Sequence, residues 1–188
     1  MNGADALHRA GQEFAARLHL VRPDDWPRPT PCDEWDVRAL VNHVVGGNVR
    51  YRMILHGEPD EAVLATHAHD MLGADPVGAF DRGLREMIGA FGAPGALDRT
   101  VRHPKSGEMS GRQLRLLRVD ELAVHSWDLA RAVDADDRLD RDLMAWLFEH
   151  MKAIEPFIVN SGMYKESAPG LESGDPQQRL LHLLGRHP

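Results

Sequence analysis

Apolar side chains recur three or four residues apart along most of this sequence, and the alternation that predicts β-strands is nearly absent. Prolines and glycines interrupt the pattern, and residues that favour helix N-termini follow several interruptions. The pattern predicts helices at 5–20, 36–57, from 75, from 110 through 134, at about 140–159, and a short last one from 175. Such a series predicts an all-α fold, a helical bundle with short extra helices.

Residues with known capping preferences define the predicted helix ends more closely. Asp36 is the expected N-cap of the second helix and Gly57 its stop, while Ser110 and Gln113 form a capping-box pattern that opens the fourth helix. Asp75 and Pro76 have the composition of a helix start. The connections are predicted as a loop at 58–74 and as a small hairpin at 95–109, around the turn sequence PKSG.

Length and charge restrict the classes of protein to which the chain can belong. A chain of 188 residues predicts one domain, 1–188, and a single cysteine, Cys32, allows no internal disulfide. The net charge of −7, without a lysine run, argues against a nucleic-acid surface. Charges interrupt the apolar positions of the N-terminal segment, so we expect neither a signal peptide nor membrane insertion. We therefore expect a cytoplasmic monomer or homodimer that acts on a small molecule.

Polar groups occupy the apolar side of the helix that contains RVDELAVHSWDLARAVD. At about 100° per residue, one stripe of this helix collects Leu114, Leu117, Glu121, His125, Asp128 and Ala132. An ionised carboxylate in an apolar interior costs several kcal/mol unless it is paired or binds a metal. The sequence therefore predicts a cation that faces Glu121.

A divalent metal is one cation that fits this stripe. Glu121 and His125 are one turn apart and can direct oxygen and nitrogen at one ion. His43, on the second helix, is the candidate third ligand, and two histidines with one carboxylate leave positions open for water or substrate. Asp128 could orient a ligand histidine or join the metal, or instead form a salt bridge to Arg131 or Arg52. A metal-free arrangement, with Glu121 and His125 simply hydrogen-bonded, stays open.

Other polar and aromatic residues receive weaker predictions. Cys32 precedes a helix N-terminus, where the helix dipole is expected to lower the thiol pKa, but no base is evident beside it and we expect no catalytic role. His67 and His69 are expected at the surface. Two tryptophans could wall a substrate pocket or lie in the core, and two glycines are expected to allow close helix packing; these residues are Trp35, Trp127, Gly46 and Gly47.

Three segments, PTPCDEWDVRALVNHVVGGN, DELAVHSWDLARAVD and DPQQRLLHLLGRHP, together resemble the DinB-like superfamily. They are most similar to proteins related to the metal-binding domain of mycothiol-dependent maleylpyruvate isomerase. The resemblance implies a four-helix bundle with up-down-down-up topology. It also implies a divalent metal, usually zinc, with nickel or another divalent ion as alternatives, held at the positions of His43, Glu121 and His125.

The same resemblance implies chemistry on a low-molecular-weight thiol. Members of the family join a thiol such as mycothiol or bacillithiol to an electrophile, or use the thiol as a cofactor for isomerisation. The isomerase has an additional C-terminal domain that contributes to its active site, and the present sequence has no room for it. We therefore expect a metal-dependent thiol S-transferase rather than an isomerase, with a non-catalytic metal-binding, stress-response or ligand-binding module as the alternative.

Overall fold

The structure, a computed structural model, describes residues 1–33, 35–154 and 174–186. Within these residues it contains seven α-helices and one antiparallel hairpin. The helices are α1 Gly3–Leu18, α2 Val37–His56, α3 Asp60–Ala65, α4 Pro76–Phe91, α5 Gly111–Ala132, α6 Arg141–Ala153 and α7 Pro176–Leu183; the strands are β1 Thr100–His103 and β2 Gly107–Ser110. The predicted all-α class is confirmed, and the small hairpin is present.

The helices begin and end where their capping residues predict. The Asp36 carboxylate accepts a hydrogen bond from the Ala39 N–H at 2.8 Å, which satisfies one of the free donors at the start of α2. Gly57 ends the same helix with φ +79°, a left-handed conformation that glycine adopts without strain. The capping box of Ser110 and Gln113 opens α5. Local chemistry therefore determines these boundaries.

Two predicted segments differ from the structure, and part of a third cannot be compared with it. Residues 58–74 are not one loop, because α3 and a 3₁₀ turn, Thr66–Ala68, occupy much of them. The acidic residues in the first turn of α3 interact favourably with the helix dipole, and burial of Val63 also stabilises this helix. The first helix begins earlier than predicted because the Asn2 side chain caps it. The predicted fifth helix is observed as α6, and residues 155–159 of that prediction lie outside the described residues.

Four long helices form the bundle. Helix α1 packs against α5 and α4, and α2 packs against the same two, so consecutive helices α1 and α2 lie across the bundle from each other. Helix α6 packs against α5 and α7. None of the helices in the described parts of the chain is long and apolar enough to cross a membrane. The arrangement makes α2 and α5 neighbours, as the candidate site requires.

Helix α5 is more deeply buried than an amphipathic helix. The sequence suggested one apolar stripe, but buried residues occur on nearly every side of α5, including Arg118, Asp120 and Ser126. The reason is that α1, α2 and α6 all pack against this helix. Polar groups of α5 are therefore interior groups that need internal partners.

The buried Arg118 side chain joins α5 to α2. Its Nη2 donates to the Val44 carbonyl at 2.8 Å and to the Asn48 side-chain oxygen at 2.6 Å. A Cβ atom at Gly47 would lie 2.3 Å from Nη1 of Arg118. Gly47 therefore provides the space that this guanidinium occupies.

We predict that Gly47→Ala destabilises the protein, by about 1–3 kcal/mol, because the added methyl group must displace a fully buried, hydrogen-bonded guanidinium. The control is Gly89→Ala on the exposed side of α4, where a Cβ would meet nothing within 4 Å. That change should stabilise by about 0.5–1 kcal/mol through helix propensity. Urea unfolding of both variants measures the difference, and equal effects of the two changes would contradict the packing argument.

Candidate metal centre

Helices α2 and α5 bring the three predicted ligands to one point of their interface. The Nε2 atom of His43 lies 2.6 Å from Oε1 of Glu121, and the rings of His43 and His125 are 5.2 Å apart, edge to face. One possible ligand atom from each of the three residues lies within 4.8 Å of the others. The structure thus gathers His43, Glu121 and His125 as the metal hypothesis requires.

Arg118 supplies a cation to Glu121. Its Nη1 donates to Oε2 of Glu121 at 2.7 Å, which leaves Oε1 directed at His43. Burial alone would raise the pKa of Glu121, but Arg118 and His43 outweigh it and hold the pKa well below its usual range. The sequence predicted a cation that faces Glu121, and Arg118 is that cation; it is three residues before Glu121 and hence on the same side of the helix. Because Arg118 already balances the charge of Glu121, that charge does not by itself require a metal.

The His43 imidazole is neutral at physiological pH. Burial is the main cause, and it lowers the pKa of His43 to about 4 despite the attraction of Glu121. A carboxylate can only accept, so Nε2 of His43 donates the 2.6 Å hydrogen bond to Glu121. The Trp35 ring lies 4.7 Å from the His43 ring and 5.9 Å from the His125 ring. Trp35 therefore shields both imidazoles on one side.

Asp128 orients His125. Nδ1 of His125 lies 2.9 Å from Oδ2 of Asp128, while Arg186 donates to both carboxylate oxygens, at 2.9 and 3.3 Å. Burial would raise the pKa of Asp128, but His125 and Arg186 lower it to about 2. Nδ1–H therefore donates to the carboxylate, and Nε2 is the nitrogen that can bind a metal.

The alternative salt bridges predicted for Asp128 are wrong. Arg131 pairs with Asp137, and Arg52 pairs with Glu86 across the surface between α2 and α4. The actual partner, Arg186, is 58 residues beyond Asp128 and follows the last helix. No pattern in the sequence connects two residues so far apart.

Cys32 lies beside the same carboxylate. Its thiol donates to Oδ2 of Asp128 at 3.2 Å, and its sulfur is 3.9 Å from Nδ1 of His125. Burial, and then the negative charge of Asp128, raises the pKa of Cys32 to about 12. The expected lowering by the helix dipole is wrong because the thiol is desolvated and faces an anion.

Cys32, His125 and Asp128 form a second group whose donor atoms lie within 4.8 Å of one another. The guanidinium of Arg186 already contacts this group, 2.9 Å from Asp128 and 3.6 Å from the Cys32 sulfur. A cation thus stands where a metal would have to bind, which favours the His43 group as the candidate centre.

A cavity of about 540 Å³ opens beside the candidate ligands. Apolar side chains of Ile54, Leu117 and Val124 form part of its wall. Trp35 also lines it, whereas Trp127 is buried in the core, so the two tryptophans have different roles. His67 is exposed as predicted, yet it belongs to the cavity wall, its ring 6.4 Å from that of His43.

The three candidate ligands fit a divalent metal such as zinc. Two imidazoles and one carboxylate are a donor set that zinc and related ions accept, and three protein ligands leave coordination open on the cavity side. The bond from His125 to Asp128 is the kind that fixes the orientation of a metal-binding histidine. The geometry therefore suits a metal that can coordinate a small molecule from the cavity.

Comparison with solved structures gives the fold. A mutant form of mycothiol-dependent maleylpyruvate isomerase superposes with a TM-score of 0.58 at 16% sequence identity. The match covers 69% of this chain and 61% of the isomerase chain, so the chain spans less than two thirds of that enzyme's length. At this identity the likeness shows the fold alone, an all-α DinB-like arrangement.

Comparison with sequences gives the family. Two uncharacterized proteins of Mycobacterium tuberculosis, from strains CDC 1551 / Oshkosh and H37Rv, are each 30% identical over 189 aligned residues, which cover 96% of this chain and 96% of theirs. The family described as mycothiol maleylpyruvate isomerase N-terminal domain matches residues 7–130, which include all three candidate ligands. The chain therefore belongs to the mycothiol maleylpyruvate isomerase N-terminal domain family.

Proposed function

We propose that the protein is a divalent-metal enzyme, with zinc as the first candidate, that joins a low-molecular-weight thiol of the mycothiol type to a small electrophile. The observation that carries the proposal is the convergence of His43, Glu121 and His125 at a cavity of about 540 Å³. A cavity of this size accommodates a small molecule. Family membership supplies the thiol class.

The candidate ligands and their neighbours divide the work of the site. His43, Glu121 and His125 would hold the metal, which when bound would favour the thiolate form of a thiol ligand. Arg118 fixes the Glu121 carboxylate through Oε2, and Asp128 fixes the His125 ring through Nδ1. Trp35 packs beside both imidazoles and limits the access of water. The metal position would then be held by groups that are themselves hydrogen-bonded.

The proposed reaction needs no oxidant. The thiol sulfur forms a bond to an electrophilic carbon. In a substitution the bond from that carbon to the leaving group breaks and the thiol proton goes to the leaving group; in an addition the carbon–carbon π bond breaks and the proton goes to the neighbouring carbon. The protein's own cysteine is not the nucleophile, because its thiol is protonated and donates to Asp128. The nucleophile is therefore an external thiol, which must enter the cavity together with the electrophile.

We expect the purified full chain to bind about one zinc ion, and His125→Ala to lose both zinc and turnover because it removes a ligand. His69→Ala is the matched control, since His69 is an exposed histidine outside the cavity wall. Elemental analysis measures the metal, and loss of free thiol across a panel of electrophiles with mycothiol and other small thiols measures turnover. If the protein binds zinc but conjugates no thiol, the enzyme proposal is wrong and the non-catalytic metal-binding module takes its place. If the protein binds no zinc, the proposed metal site is wrong.

We also expect Cys32 to react slowly with iodoacetamide at pH 7.5, because the thiolate is the reactive species and a pKa of about 12 leaves almost none. The rate should still rise with pH above about pH 10.5, where an ordinary cysteine of pKa about 8.5 is almost fully ionised and its rate has levelled off. Mass spectrometry follows the alkylation, with free glutathione as the reference thiol. Cys32→Ser should keep zinc and turnover, and a rate equal to that of glutathione at pH 7.5 would contradict the burial argument.

A further inference from the structure

Arg50 is the exception among the buried arginines of this protein. Arg17, Arg50 and Arg118 are 7%, 6% and 0% exposed. Arg17 pairs with Glu13 and Arg118 with Glu121. Arg50 has no carboxylate partner among the residues that the structure describes, and its one hydrogen bond there goes from Nη2 to the neutral carbonyl of His43 at 2.7 Å. A buried charge without a counter-ion is unfavourable unless a ligand supplies one.

Arg50 belongs to the wall of the cavity beside the candidate metal centre. It folds back along α2, where a Cβ at Gly46 would lie 2.5 Å from its Nη1. Gly46 therefore leaves room for this guanidinium, much as Gly47 does for Arg118. The arginine is thus held against α2, and its Nε and Nη1 have no hydrogen-bond partner among the described residues.

Three other basic side chains approach the same cavity from separate elements. His67 comes from the 3₁₀ turn, His103 from β1, and Lys105 from the turn of the hairpin. Burial is the main cause that lowers the pKa of His67 and of His103; Arg50 and Lys105 lower both further, whereas Glu121 acts in the opposite direction. The two imidazoles are therefore uncharged donors, and Arg50 and Lys105 carry the positive charge among these four groups.

His103 offers a donor with a fixed position. Its Nδ1 accepts hydrogen bonds from the backbone N–H groups of Lys105 and Ser106, at 3.3 and 3.2 Å. In the neutral ring the proton must then be on Nε2, which is a donor. The phenol of Tyr51 is a second uncharged donor of the wall, and no hydrogen bond of its hydroxyl is found within the described ranges.

The acidic residues of the cavity wall do not satisfy these donors. Glu121 is engaged by Arg118 and His43. Asp33 and Asp120 also line the cavity, and each has an interaction of its own. Within the described ranges, neither Arg50 nor Lys105 forms a salt bridge with a carboxylate of this wall.

We propose that Arg50, with His103 and Lys105, forms an anion subsite that binds a carboxylate or phosphate group of the small molecule occupying the cavity. Only the identification of that molecule as the thiol or its electrophile rests on the proposed function. The subsite itself does not need the metal. Arg50 supplies the buried guanidinium, which can bind an oxyanion through two parallel hydrogen bonds, and Lys105 supplies exposed charge at the entrance.

The test is calorimetric titration of the full chain with succinate and with inorganic phosphate, without added metal, and with succinate again after zinc loading. The wild-type protein should bind at least one of the two anions. The anion that binds more tightly identifies the group, carboxylate or phosphate, that the subsite prefers. Arg50→Gln should weaken binding about tenfold or more, because it removes a charge-assisted pair. Arg52→Gln, two residues away on the exposed surface of the same helix and paired with Glu86, should bind as the wild type does.

Lys105→Gln keeps the test decisive if Arg50→Gln does not fold. It changes an exposed residue and should weaken binding several-fold and flatten its dependence on salt concentration. Absence of binding of both anions to the wild type, or equal binding by the wild type and the folded Arg50→Gln or Lys105→Gln variant, would overturn the subsite. Anion binding by a chain that takes up no zinc would leave the subsite standing and remove only the proposed metal enzyme.

Discussion

The ion pair between Arg118 and Glu121 is the interaction on which the rest of the site depends. The guanidinium is wholly buried, and it joins the backbone of α2 at Val44 to a carboxylate on α5. Removing one partner of such a pair leaves an uncompensated interior charge, which costs about 3–5 kcal/mol. The pair therefore ties the position of Glu121 to the packing of two helices. A change in that packing would move a candidate ligand.

The fold was largely predictable from local chemistry. Asp36, Gly57, Ser110 and Gln113 set helix ends through hydrogen bonds within a few residues, and those are the contacts that a sequence pattern contains. The short helix α3 was missed because six residues give little periodicity. The depth of burial of α5 was missed as well, since it depends on how many other helices pack against it.

The candidate site was predictable only in part. Glu121 and His125 could be predicted as ligands because they are polar residues on an apolar stripe. His43 could be predicted from helix periodicity and from the resemblance to the family. Arg118 could have been found, because it shares the helix side of Glu121. Arg186 could not, because its contact with Asp128 joins the last described residues of the chain to α5. The pKa of Cys32 depends on burial and on the tertiary contact of its thiol with Asp128, so its proximity to a helix start was misleading.

The cavity is built from two kinds of structure, and this division has an evolutionary consequence. We define its floor as the wall residues on the long helices α2 and α5, which include the candidate ligands, and its mouth as the exposed wall residues of α3, the 3₁₀ turn and the hairpin turn, namely Leu64, His67 and Lys105. Connections tolerate substitution and changes of length far better than packed helices do. Relatives of this protein can therefore acquire new ligands by altering the mouth alone. One chemical floor can in this way serve many different small molecules without a new fold.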